Sequence, residues 1–228
     1  MVGLMANEHD CIITPERITV IGVGDAGGKI AGLMATGCGT GPALAAVNTD
    51  LQALEACPVA LKVQIGSQFT RGLGTGGDLK VGRHSAEEDR EKLAALFAGK
   101  DLTLLVTGLG GGTGTGAAPV LAHVAQEAQS IVMALAILPF DFESESTRRQ
   151  ALEGLSALRK QADLVIVIPN QRLFASLGAD TPADQAFARA NEILCQAVGG
   201  IWKMIVHRGL MTITLADLRA AAQKSGGT

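Results

Sequence analysis

Seven residues, GGGTGTG from Gly110 to Gly116, constrain the fold of this 228-residue chain more than any other stretch. A run with so few side chains could be a flexible linker. Its flanks say otherwise: DLTLLVTGL before it is an apolar run of strand length, and AAPVLAHVAQEA after it is apolar at helical spacing. A glycine loop between a strand and a helix can aim backbone N–H groups at phosphate.

The same alternation runs through the chain. RITVIGVG, ALAAVN, ALKVQI, LTLLVTG, IVMALAIL and ADLVIVIP read as strands, and most are continuous apolar runs, as strands covered on both faces require. Amphipathic stretches such as SAEEDREKLAALFAG and ESTRRQALEGLSALRKQ lie between them. The expected fold is therefore α/β, a mostly parallel, doubly wound sheet of about six strands. In such a sheet GVGDAGGK, NTD, GSQFTRGLGTGGDLKVG, GGGTGTG, PFDFESE and PNQR all follow strands and converge on one edge.

Thr181-Pro182 reads as the start of a long helix, with a cap and a proline at the first helical position. Phe187, Ala190, Leu194, Val198, Ile201 and Ile205 mark one face. Ile193, Trp202, Met204 and Val206 widen it to an arc of roughly 220°, about twice that of a surface helix, which predicts cover from more than one side. A short last helix, LADLRAAAQKS, precedes the closing KSGGT.

Composition excludes several classes. A net charge of −3 gives no electrostatic case for a nucleic-acid partner, and 3% aromatic residues without tyrosine offer little for stacking single strands. Cys11, Cys38, Cys57 and Cys195 show no CxxC pairing and read as reduced thiols of a cytoplasmic protein. The acidic first residues do not read as a signal peptide, and the longest apolar run falls short of a membrane span. Contact with a membrane is expected only indirectly. No Walker lysine, HExxH or GxSxG occurs, and His9, His84, His123 and His207 are scattered.

Gly22-Val23-Gly24-Asp25-Ala26-Gly27 fits GxGxxG after a strand, with Asp50 where a ribose-binding acid would sit. A dinucleotide oxidoreductase leaves the denser loop after the fourth strand and RGLGTGG after the third without a role.

NTDLQAL, TRGLGTGGDLKVGR, GGGTGTG, PFDFE and IPNQRL, in that order, resemble the tubulin/FtsZ superfamily, its bacterial FtsZ branch above all, from about Ile18 to Gln223. The resemblance implies GTP or GDP as ligand, with Mg carried on the phosphates rather than on protein side chains. It also implies self-association as dimers or short oligomers. It assigns Gly22, Gly24, Asp25, Gly27 and Gly28 to the first phosphate and ribose turn, and Asn48, Thr49 and Asp50 to the second loop. Gly74, Gly76 and Gly77 belong to the loop that senses the γ-phosphate. Gly110, Gly111, Gly112, Thr113, Gly114, Thr115 and Gly116 wrap the phosphates, so Gly112→Val is expected to force a side chain into phosphate space. Pro139 and Glu143 match the ribose contact, Asn170 a guanine contact, and Phe187 the ring that stacks on the base.

Several positions depart from the family pattern. Lys29 stands for an asparagine near the base, and Asn191 for an aspartate that accepts guanine N–H groups. Asp78 replaces an asparagine in the γ-phosphate loop, adding negative charge near a polyanion. Thr147 falls where an arginine reaches the phosphates, with Arg148 one place on. In GLMTITLADLR, Thr212 and Thr214 replace the asparagine and first aspartate that enter the next subunit's site. Asp217 alone remains as a catalytic residue supplied in trans, so slow hydrolysis is expected. The resemblance divides the chain into an N-terminal extension (1–16), a GTP-binding α/β domain (17–180) and the long helix, loop and last helix (181–228) of the same domain. The second FtsZ domain is expected to be absent. An FtsZ-like protein of cell division or membrane remodelling, or the nucleotide-binding domain of a fully active division GTPase, both remain open.

Overall fold

The computed structural model describes residues 13–37, 41–174, 182–207 and 213–225. Expectations placed on His9, Cys11, Cys38, Thr181 and Thr212 lie outside them.

Strands β1 (Ile18–Val23), β2 (Ala43–Asn48), β3 (Leu61–Gln64), β4 (Leu102–Gly108), β5 (Ile131–Leu138) and β6 (Leu164–Pro169) form one sheet in the order β3-β2-β1-β4-β5-β6. Every neighbouring pair is parallel. The chain winds outward from β1 to β3, then restarts at β4 on the other side of β1. That reversal leaves a crevice above the carboxyl ends of β1 and β4, where open α/β sheets bind ligands.

The helices are α1 (Gly24–Gly37), α2 (Leu51–Ala56), α3 (Ser67–Thr70), α4 (Leu79–Glu88), α5 (Arg90–Ala94), α6 (Gly112–Glu127), α7 (Glu145–Arg159), α8 (Asn170–Phe174), α9 (Ala183–Val206) and α10 (Leu215–Ser225). Alternate strand residues feed two cores. Ile21, Val47, Leu105 and Ala134 pack under Leu93, Leu121 and Leu155 of α5, α6 and α7. Val20, Leu104 and Met133 pack under Ile30, Leu194, Val198 and Leu218 of α1, α9 and α10. Both faces are dry, which is why the strands are apolar without alternation. The sheet is doubly wound, as the sequence predicts.

Local details differ from the expectation. The long third loop is shorter: it holds α3, and Asp78 caps α4 by accepting from the Lys80 N–H at 2.7 Å. The helix expected from SAEEDREKLAALFAG breaks at Asp89, which accepts from the Gly66 N–H at 2.7 Å. PNQR ends in α8 rather than a loop, and Pro182 is the N-cap of α9 rather than its first helical residue. Helix α9 buries one stripe, Ala186, Ala190, Leu194, Val198, Trp202 and Ile205, while Met204 stays 53% exposed. Among the described residues α1 is its main cover, and Ile193, Cys195, Ile201 and Val206 beside the stripe are half-buried.

Candidate functional site

Strand β1 passes directly into α1, and β4 passes into α6 through Leu109, Gly110 and Gly111. The two helix starts touch. A methyl on Gly24, whose φ is +70°, would lie 2.9 Å from the Gly114 nitrogen. Only glycine allows that approach and that backbone angle. No side chain caps the start of α6, so its first N–H groups and the positive end of its dipole are left for an anion.

A cleft of about 520 Å³ opens above this junction. The β1–α1 turn gives it Gly24, Asp25 and Lys29, and the end of β2 gives Asn48 and Asp50. Gly74, Gly76 and Gly77 form one rim, and Gly111, Gly112, Thr113 and Gly114 the floor. Pro139, Glu143, Asn170, Phe187 and Asn191 close the far end.

Other residues marked by the sequence hold this wall from behind. A methyl on Gly22 would meet the Gly27 carbonyl oxygen at 2.2 Å, and one on Gly27 would meet that of Val106 at 2.3 Å. The Thr49 hydroxyl is buried against that of Thr113. Gly110 donates its N–H to the Thr115 hydroxyl at 2.8 Å, and Gly116 packs on the Leu79 carbonyl. Gly28 lines a neighbouring cavity instead.

Hydrogen bonds orient the polar groups. Asn48 donates to the Asp25 carboxylate at 2.8 Å and accepts from the Thr49 and Asp50 N–H groups. Asp50 caps α2, accepting from the Ala53 N–H at 2.9 Å. One Glu143 oxygen accepts from the Phe140 N–H at 2.8 Å. Phe187 is 41% exposed and meets Phe140 edge-on at 4.8 Å between ring centres. Asn170 is buried, and its Oδ1 has no hydrogen-bond partner. A buried acceptor without a donor costs about 1–3 kcal/mol, so its place at the cleft end marks where a ligand donor belongs.

Three expectations change. The space a Gly112 side chain would take belongs to the chain itself: its Cβ would lie 2.0 Å from the Thr75 hydroxyl and 2.8 Å from the Asp78 carbonyl. Asp78 turns its carboxylate to the start of α4, not to the cleft. Thr147 packs its methyl on Gly110, and the Arg148 guanidinium donates to the Asp141 carbonyl. Asp217, expected to act in trans, is not among the residues of its own chain's cleft. It closes a reciprocal cap at the start of α10: the Thr214 hydroxyl and N–H donate to its carboxylate at 2.6 and 2.9 Å, and its N–H donates back at 3.2 Å. The Thr214 hydroxyl, then the Thr214 N–H, hold its pKa below the ordinary 3.8, against a small opposing effect of burial. The Thr-x-x-Asp spacing was a readable signal for this box. Thr75, also on the cleft, carried no signal beyond its place among glycines.

Residues 17–178 match the Tubulin/FtsZ family, GTPase domain. The chain belongs to the tubulin/FtsZ family. It is 40% identical over 209 residues to the cell division protein FtsZ of Wigglesworthia glossinidia brevipalpis, covering 92% of this chain and 54% of that protein. Against FtsZ of Pseudomonas aeruginosa it is 40% identical over 217 residues, covering 95% and 55%. The chain thus spans about half the length of these relatives. An empty FtsZ dimer from M. jannaschii superposes with a TM-score of 0.86 at 37% identity, covering 91% of this chain and 60% of that one. The GTPγS-bound protofilament of CetZ2 from Haloferax volcanii gives 0.73 at 31%, covering 82% and 58%. No described helix of this family member is long and apolar enough to cross a membrane.

Proposed function

We propose that this chain binds GTP and GDP in the cleft above β1 and β4. The observation that carries the reading is the buried, unpartnered Asn170 Oδ1 in the cleft that the exposed Phe187 also lines. Guanine brings ring and exocyclic N–H donors as well as a face to stack, so it answers both. The phosphates would lie on the open starts of α1 and α6, and Mg would come with them. Glu143 keeps one carboxylate oxygen for a ribose hydroxyl, since Phe140 holds the other. Lys29 and Asn191 at the base end keep a donor and an acceptor for guanine.

Turnover is read as slow. Bound GTP supplies the phosphoanhydride to be hydrolysed; the chain must supply a group that orients and deprotonates water. Asp217, the one carboxylate left in that loop, is engaged by Thr214 and held as a weaker base by a lowered pKa. Residues 17–180 are read as the nucleotide-binding domain. Residues 181–228 are read as part of the same unit, because Leu194, Val198 and Leu218 share one core with β1, β4 and β5. Limited self-association of a cytoplasmic FtsZ-like protein, in cell division or membrane remodelling, fits this site.

A second reading is the nucleotide-binding domain of a fully active division GTPase. It is favoured by 40% identity to cell division proteins of which this chain spans 54% and 55%.

Calorimetric titration with GTP, GDP and NAD tests binding: guanine nucleotides bind one per chain and NAD does not. Absence of GTP binding overturns the proposal. GTP turnover measured across a wide range of protein concentration then separates the readings. A flat, near-zero specific rate supports the first, and a rate that climbs steeply supports the second.

A further inference from the structure

Behind Lys29 and Asn191 lies a second cavity, of about 580 Å³, bounded by α1, α2, the end of β2 and the first half of α9. Leu33, Leu54 and Pro58 give it apolar walls. Two contacts hold it in shape. Gly32 lets Pro58 approach, for a methyl there would lie 2.9 Å from the proline Cδ, and the Cys57 thiol donates to the Gly28 carbonyl at 3.2 Å.

Three ionisable side chains besides the thiol reach this space, and two are engaged. Asp25 accepts from Asn48 at 2.8 Å, and Glu192 pairs with Arg189 at 2.5 Å. Lys29 has no hydrogen bond or ion pair with a described residue. Lys29 is exposed on the wall that this cavity shares with the cleft. A cavity of this size, apolar with Lys29 as its cation beside the Asp25 and Glu192 carboxylates, has the character of a small-molecule site.

We propose that this cavity is a second binding site, for a flat apolar molecule carrying a single anionic group. The ring system lies against Leu33, Leu54 and Pro58, and the anion meets the Lys29 ammonium. Gly24, Asp25, Lys29, Asn48 and Asn191 line both cavities. Occupancy of one is therefore felt at the base end of the other, a coupling that rests on the nucleotide reading above. It is reciprocal by necessity.

The probes are 8-anilinonaphthalene-1-sulfonate and its neutral counterpart N-phenyl-1-naphthylamine, followed by fluorescence without nucleotide. One sulfonate binds per chain. Ala56→Trp, an exposed position on α2 that fills the cavity, lowers its affinity about tenfold or more without changing the circular dichroism. Lys29→Met weakens the sulfonate by a similar factor and leaves the neutral amine unchanged. Equal sulfonate binding by the original chain and Ala56→Trp overturns the proposal; so does equal loss of both probes in Lys29→Met. If Ala56→Trp does not fold, the comparison of probes on Lys29→Met decides alone. Saturating GDP then shifts sulfonate affinity by the factor by which the sulfonate shifts GDP affinity. GDP binding with no mutual shift removes the coupling, whereas no GDP binding at all removes the nucleotide reading and leaves the site.

Discussion

The hydroxyls of Thr49 and Thr113 lie 2.7 Å apart in the buried floor of the cleft, joining the end of β2 to the first turn of α6. Among the described residues each is the other's only side-chain partner, so removing one leaves a buried hydroxyl unsatisfied. Thr49→Val is expected to cost about 1–2 kcal/mol, and Thr49→Val with Thr113→Val less than the sum of the two single changes. Urea unfolding of the three variants measures this, and simple additivity would refute it.

Gly111 and Gly112 are adjacent and have opposite tolerances. A methyl on Gly111 meets nothing within 4 Å, and its φ of −84° suits alanine. Gly112→Ala must displace Thr75 and the Asp78 backbone. Gly111→Ala is therefore expected to keep the melting temperature and weaken GDP binding, whereas Gly112→Ala lowers both. Calorimetry beside thermal unfolding separates the two effects; a fully stable Gly112→Ala would contradict the geometry.

Phe187 lies on the cleft rather than in the core. With 41% of its surface exposed, Phe187→Ala should leave folding stability nearly unchanged. If a base stacks on the ring, the loss of about 1–3 kcal/mol in binding weakens GDP roughly fivefold or more. A GDP affinity equal to that of the original chain would place the base elsewhere.

The Thr214–Asp217 cap gives α10 a pH dependence of known sign. The folded carboxyl has a pKa below its ordinary 3.8, so its stabilising effect is complete above that value and is lost as pH falls through the folded value. Amide exchange in the first turn of α10 should accelerate on acidification, and Thr214→Val should flatten that profile. Identical profiles for both chains would show the cap to be idle.

In turnover, Asp217→Ala should lower the rate only at concentrations where subunits stack head to tail. Parallel rate curves for variant and original chain, at every concentration, would exclude Asp217 from catalysis.

Local sequence determined the order of strands and helices, because apolar continuity and glycine or Asx punctuation act within a few residues. It also determined which loops reach the cleft, since every parallel strand presents the same end. Gly24, Asn48, Gly114 and Asn170 were legible for that reason. Tertiary packing decided what fills each ångström between those loops. Thr75 occupies the space expected for phosphate beside Gly112, Asp78 turns to α4, and Thr147 packs on Gly110. The apolar arc of α9 was legible, but not that α1 would be its main cover. Spacing along a chain fixes which residues share an element; contacts between elements distant in sequence fix which of their faces are left for a ligand.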